Sequence, residues 1–300
     1  MRRALALIDD RIVPEEQATI HWNDPGFRRG YGVFETIRVA GARPFLAGCH
    51  ALRLHEGAPR LGIVPWLHPR TLVRRLERLV RETGTVDGVL RVFLTPGPSP
   101  EGEAPAVPAS IAPGIPMTTG PRPTRARYLA TITSREPAPA SARAMLAPHL
   151  RDARSPLVGV KTLSYAEEQL LLALARARGF DEALRRNLDG RLTEGTWSNL
   201  FVIEDSRLVT PPLSEGLLAG ITRWFVLRTA RDSGLEPREE PVPVERLMAA
   251  GEAFVTSTMR GIVPLVGVDG RPIGTGAPGE RSVRLRRSLE RHITRGREAS

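Results

Sequence analysis

A chain of 300 residues, 41% hydrophobic and 25% charged, is long enough to bury a core in each of about two domains and too apolar to be disordered throughout. Its net charge of +10 raises nucleic acid as a partner, but the arginines are interleaved with acids and aromatics are only 5%, so exposed basic faces are the better reading. The single cysteine, Cys49, excludes an intrachain disulfide framework, and no apolar run suits a signal segment or a membrane span, so a soluble cytoplasmic protein is expected.

Along the chain, ALALIDD and RIVPEE read as a hairpin, and YGVFETIRVAG alternates with the period of a strand before the Gly41 turn. HALRLHEGAPRLGI shifts to helical spacing. TLVRRLERLVRETG is an amphipathic helix with Leu72, Leu76, Leu79 and Val80 on one face and Gly84 as its stop. GVLRVFLTPG is a strand that runs into a turn. Residues 96–123 fill with Pro and Gly, with one short strand expected around 109–112. The domain boundary is placed there: an N-terminal α/β domain over 1–118, a linker over 119–124 and a C-terminal domain over 125–300.

The second half opens with the strand YLATITS and reaches VGVKTLSYAEE. Of the 43 lysine and arginine residues, Lys161 is the single lysine and the other 42 are arginine. Where solvated charge suffices, arginine serves as well. A lysine supplies what guanidinium cannot, a primary amine able to lose its proton, attack a carbonyl carbon and hold a cofactor. Ser164 and Glu167 have capping-box spacing, so a helix is expected from Tyr165, with Lys161 delivered just ahead of it. Asp189-Gly190 marks a hairpin that returns Glu194 to the body of the domain, and Asp205-Ser206 marks a second turn. GLLAGITRWF begins a helix near Thr222 whose N-terminal amides make a natural phosphate seat. The Ser257-Thr258 pair adds further donors. An amine, a carboxylate and two anion seats are what pyridoxal phosphate needs: a lysine, an acid for its ring nitrogen and donors for its phosphate.

The segments GYGVFETIRV, HALRL, KTLSY, DGRLTEGTWSNLF, LLAGITR and FVTSTMRGIVPL resemble, in the same order, the motifs of the class IV (fold-type IV) pyridoxal phosphate-dependent aminotransferases. That family holds branched-chain and D-amino-acid aminotransferases and aminodeoxychorismate lyases. The resemblance implies a two-domain α/β fold of the D-amino-acid aminotransferase type, with the cofactor between the domains and a homodimer as the usual assembly. Lys161 resembles the Schiff-base lysine, and Glu194 the partner of the pyridine nitrogen. Arg53, Ile221, Thr222 and Thr258 resemble the phosphate ligands. Leu218 is expected on the cofactor ring and Asn199 in the loop around it, with Phe34 and Trp197 lining the substrate side. His50 is read as structural. Tyr165 follows Lys161 by four residues, one fewer than in branched-chain members. Pro96 stands where D-amino-acid members carry a carboxylate-binding arginine, so Arg38 and Arg91 are the substitutes considered. The resemblance implies amino transfer between an amino acid and a 2-oxo acid. Thr36 in FETIRV leans toward the alternative, a lyase releasing pyruvate and 4-aminobenzoate. A basic nucleic-acid-binding protein is the distant alternative.

Other signals carry no site. GTGAPG matches a dinucleotide fingerprint but lacks the following strand and acid, and reads as a turn into the last helix. The six histidines show no paired ligand spacing, and no metal is expected.

Overall fold

The computed structural model describes residues 4–98 and 125–295. They divide into two compact units: the residues before Glu136 together with Val160–Tyr165, and Glu136–Gly159 together with the chain from Ala166 onward.

In the first unit, β1 (Leu5–Ile8) and β2 (Arg11–Pro14) make the expected hairpin. A short helix α1 (Pro25–Arg29) starts on Asp24, whose side chain accepts from the Gly26 N–H. β3 (Val33–Ala40), β4 (Arg43–Pro44), α2 (Ala47–Gly57), α3 (Pro69–Thr83), β5 (Gly88–Thr95) and β6 (Arg127–Thr133) follow. The six strands form one antiparallel sheet in the order β2-β1-β6-β5-β3-β4. Period two separates its faces. Val33, Ile37 and Val39 of β3, Leu90, Val92 and Leu94 of β5, and Tyr128, Ala130 and Ile132 of β6 join Leu54, Leu72, Leu76 and Leu79 in one core. Each Val, Leu or Ile among them contributes roughly 1.5–3 kcal/mol by leaving water. The intervening positions place Phe34, Thr36, Arg38, Arg91 and Phe93 on the opposite face.

The second unit contains β7 (Ala142–Arg151), α4 (Ala166–Ala177), β8 (Glu182–Asn187), β9 (Leu192–Gly195), β10 (Asn199–Glu204), β11 (Arg207–Thr210), α5 (Ile221–Thr229), β12 (Glu236–Glu239), α6 (Val244–Ala249), β13 (Glu252–Ser257), β14 (Gly261–Val268), β15 (Arg271–Pro272) and α7 (Glu280–Arg295). The strand path runs β12-β11-β10-β13-β14-β7-β8-β9, and pairing of Glu194 with Asn199 joins β9 back to β10. Six of these strands therefore close into a ring around Leu184, Leu192, Leu200, Val255, Val263 and other apolar side chains. The turns at 189–190 and 205–206 fall where the sequence put them, with Gly190 and Asp205 at φ 79° and 50°.

Several expectations change. YLATITS, placed in the second domain, is β6, and it lies between β1 and β5 because its backbone groups pair with both and its alternating apolar face fills the first core. Val160–Tyr165 also belongs to the first unit: Val33 bridges Thr162, and the Leu163 N–H donates to the Gly32 carbonyl at 2.8 Å. Glycine is needed at position 32, since a Cβ there would fall 2.8 Å from the Leu94 carbonyl oxygen, a backbone atom, as well as against Leu163 Cδ1. The helix expected from Tyr165 begins at Ala166, and the capping pair is engaged elsewhere. Ser164 Oγ donates to the Gly30 carbonyl at 3.0 Å, and Glu167 accepts from the buried Arg185 at 2.8 Å, a charge-assisted bond. The linker at 119–124 and the short strand at 109–112 lie outside the described residues. β7 was not among the expected strands; its Pro148 lies at a register irregularity between Leu146 and Leu150, a place where a strand tolerates proline.

Candidate active site

In the first unit, β3 organises the groups. The Phe34 N–H donates to the Lys161 carbonyl at 2.9 Å, which fixes the lysine backbone on the start of β3. The half-buried Lys161 amine lies 4.3 Å from the Phe34 ring centroid and 5.6 Å from that of Tyr165. The two rings meet edge to face at 5.4 Å, so the amine stands beside a pair of aromatic rings.

One residue along β3, Glu35 faces the core and is 1% exposed. It receives a two-pronged grip from Arg53, Nε to Oε1 and Nη2 to Oε2, both at 2.7 Å. His50 Nδ1 lies 2.6 Å from Oε2. Burial pushes the Glu35 carboxyl up, but Arg53 and His50 outweigh it and hold it at about 2. His50 is shifted down, chiefly by burial, with Glu35 opposing and Arg53 and Lys161 assisting. A neutral His50 donating to Glu35 fits that balance and its structural assignment. Arg53, 14% exposed in its side chain, is thus fixed in direction. Arg91 and Arg38 lie on the sheet face shared with Phe34. Arg91 is half-buried and donates to Thr133 Oγ1 at 2.9 Å, while Arg38 is buried.

In the second unit, Glu194 on β9 has both carboxylate oxygens held. Arg151 Nη1 donates to Oε1 at 2.6 Å and the Leu218 N–H to Oε2 at 2.9 Å. Burial raises the carboxyl above its ordinary range; Arg151, the Leu218 N–H and Arg185 pull it down less strongly. Asn199 donates from Nδ2 to the Leu218 carbonyl at 2.9 Å and sits opposite Thr256 across the strands. Leu218 is therefore fastened through both its N–H and its carbonyl.

Beyond it, Gly220 is the N-cap of α5, and no side chain caps the helix. A Cβ on Gly220 would fall 1.9 Å from Asn199 Oδ1, so glycine is needed for this packing. Ile221 is buried and Thr222 half-buried in the first turn, and Thr258 lies in the turn between β13 and β14. Thr256 Oγ1 and Trp197 Nε1 are buried with no hydrogen-bond partner among the described residues. The Arg260 guanidinium lies 6.0 Å from the Trp197 ring centroid.

The structure thus gathers Lys161, Phe34 and Arg53 about β3, and Glu194, Asn199 and Leu218 about β9 and β10, with Ile221 and Thr222 following on α5. Sequence reasoning missed Glu35 and Arg151. Glu35 did leave a signal: in FETIRV it occupies a core-facing register between Val33 and Ile37, where an acid requires a cation. Arg151 left none, because its strand was not recognised. Taken unit by unit, the chemistry is of the kind pyridoxal phosphate takes: in the second, an uncapped nine-residue helix with an unpaired hydroxyl at a neighbouring strand and a buried carboxylate locked by two donors; in the first, a fixed guanidinium and an amine.

A family profile described as amino-transferase class IV matches residues 32–268. The chain is 28% identical over 288 residues to the D-alanine aminotransferase of Bacillus licheniformis, covering 96% of each chain. Among solved structures, it is similar to a T.th. branched-chain amino acid aminotransferase complexed with N-(5'-phosphopyridoxyl)-L-glutamate. That match has 26% identity and a TM-score of 0.87 over 99% of this chain and 96% of that one. It is also similar to a putative 4-amino-4-deoxychorismate lyase from Legionella pneumophila, with 25% identity and a TM-score of 0.81 over 92% of this chain and 95% of that one.

Proposed function

Because the chain belongs to the amino-transferase class IV family of pyridoxal phosphate-dependent, fold-type IV enzymes, we propose that it moves an amino group from a branched-chain or D-amino acid to a 2-oxo acid. The observation that carries the reading is the single lysine, pinned by its backbone to β3 with its amine beside two aromatic rings.

Bound pyridoxal phosphate supplies an electrophilic carbon for the amino group and a ring that accepts the electron pair left at the substrate Cα. The Lys161 amine would anchor the cofactor and, when free, would carry the proton from the substrate Cα to the C4′ carbon of the cofactor, which leaves the amino group on the cofactor and a 2-oxo acid after hydrolysis. Glu194 holds a proton on the ring nitrogen. Arg53, with the α5 N-terminus at Ile221 and Thr222 and with Thr258, holds the phosphate. Leu218 packs on the ring and Asn199 keeps Leu218 in place. Phe34 and Trp197 line the substrate side, and Arg91 or Arg38 supplies the cation for a substrate carboxylate. We assign the enzyme to the cytoplasm, on the strength of its single cysteine, and to a homodimer, the assembly usual for the resemblance. No helix among the described residues is long and apolar enough to cross a membrane.

The test is amino-group exchange: the cofactor-loaded protein, a panel of L- and D-amino acids, and 2-oxoglutarate or pyruvate as acceptor. Formation of the acceptor's amino acid with one donor class is expected. Thr36 and the similarity to a lyase structure favour one second reading. Release of pyruvate and 4-aminobenzoate from aminodeoxychorismate, without any oxo acid, would select it.

A further inference from the structure

The segment between β11 and α5 is fastened twice to one hairpin. Glu215, 5% exposed, accepts from Asn187 Nδ2 and from Arg191 Nε, the latter at 2.8 Å. Asn187 Oδ1 in turn accepts the N–H groups of Asp189 at 3.1 Å and Arg191 at 3.0 Å, which closes the turn between β8 and β9. Three residues after Glu215, the Leu218 N–H holds Glu194 on β9 at 2.9 Å. One clamp therefore grips the tip of the hairpin and the other its strand. The intervening backbone spans roughly 10 Å at most, so moving Glu215 moves Leu218.

A surface turn does not require a buried carboxylate, and burying one is costly unless it is paired and hydrogen-bonded. Here it is paired, and with a cation on the hairpin that carries Glu194. A carboxylate gripped by Arg151 alone can swing about its own axis. The second donor, Leu218, fixes its plane.

We propose that Glu215, with Asn187 and Arg191, is a positioning residue: it sets Leu218 so that the Glu194 carboxylate is held in one orientation toward the cofactor's ring nitrogen. The proposal rests on the cofactor role given to Glu194 above. Its test uses the cofactor-loaded protein, Glu215→Gln, Arg191→Met and the double variant. Three quantities are measured: the rate of pyridoxal phosphate release, the pH midpoint of the visible absorption band, and the thermal midpoint of the cofactor-free protein.

Each single variant should release the cofactor about tenfold faster, the scale of a lost charge-assisted hydrogen bond, and shift the pH midpoint of the band. The double variant should be no worse than the more affected single one, because the residues act as one clamp. Wild-type release and band midpoint in both single variants, with only the thermal midpoint lowered, would overturn the proposal. If Glu215→Gln does not fold, Arg191→Met, at a hairpin turn, gives the same reading. A wild-type protein that takes up no cofactor would overturn the functional reading instead.

Discussion

Glu35 shows how much one side chain can decide. It sits at a core-facing strand position, and its carboxyl stays ionised there because Arg53 and His50 meet it at 2.7 and 2.6 Å. A carboxyl held at about 2 in the folded chain, against 4.5 as reference, stabilises the fold above pH 4.5. That contribution is lost as the pH falls from 4.5 toward 2. It is on the order of 3 kcal/mol in full. Glu35→Gln should therefore be less stable than wild type at neutral pH, with the gap closing through this acid window, as read by urea melts at a series of pH values. Arg53→Lys tests the same grip from its other side. Lysine cannot make the planar two-point contact, so cofactor affinity should fall by about tenfold or more in a fluorescence titration. Lys161, Arg53 and Glu194 could be put forward from the sequence because each lies in an ordered motif. Their holders were not, because a buried pair such as Glu35 with Arg53, or Arg151 with Glu194, depends on which strands become neighbours.

The helix α5 joins the strand scaffold through one glycine. A Cβ at Gly220 would fall 1.9 Å from Asn199 Oδ1, and Asn199 is what holds the Leu218 carbonyl. Gly220→Ala should therefore displace Asn199, lower stability by about 1–3 kcal/mol as an overpacked contact does, and weaken cofactor binding. Parallel thermal melts with and without cofactor would show both effects. At this scale the sequence was informative wherever periodicity and turn chemistry were local. The helix α3 ends at Gly84 as read, and the hairpin turns fall at 189–190 and 205–206. It misled where tertiary pairing took over. β6 looked like the start of a new domain because a Pro- and Gly-rich stretch precedes it, yet its alternation completes the first sheet. The serine and glutamate with capping-box spacing serve Gly30 and Arg185 instead.

At the scale of the molecule, a mixed α/β chain of fold type IV carries a lysine-bearing segment on its first sheet and a carboxylate on a closed ring of strands. The fold class was legible because six motifs recur in order, and order is far harder to reach by chance than any one of them. Donor side chain and handedness were not, because they depend on side chains brought together from several elements, the proposed Arg38, Arg91 and Trp197 among them. Light scattering should give about twice the 32.9 kDa chain mass if the homodimer assignment holds. The most direct test of the central claim is the visible spectrum of the protein with pyridoxal phosphate, beside Lys161→Ala, followed by borohydride reduction and peptide mapping. The account predicts a visible band in the wild type alone, reduction that fixes the cofactor to Lys161, and bleaching by one class of amino acid. A wild type that stays colourless and matches Lys161→Ala would contradict it.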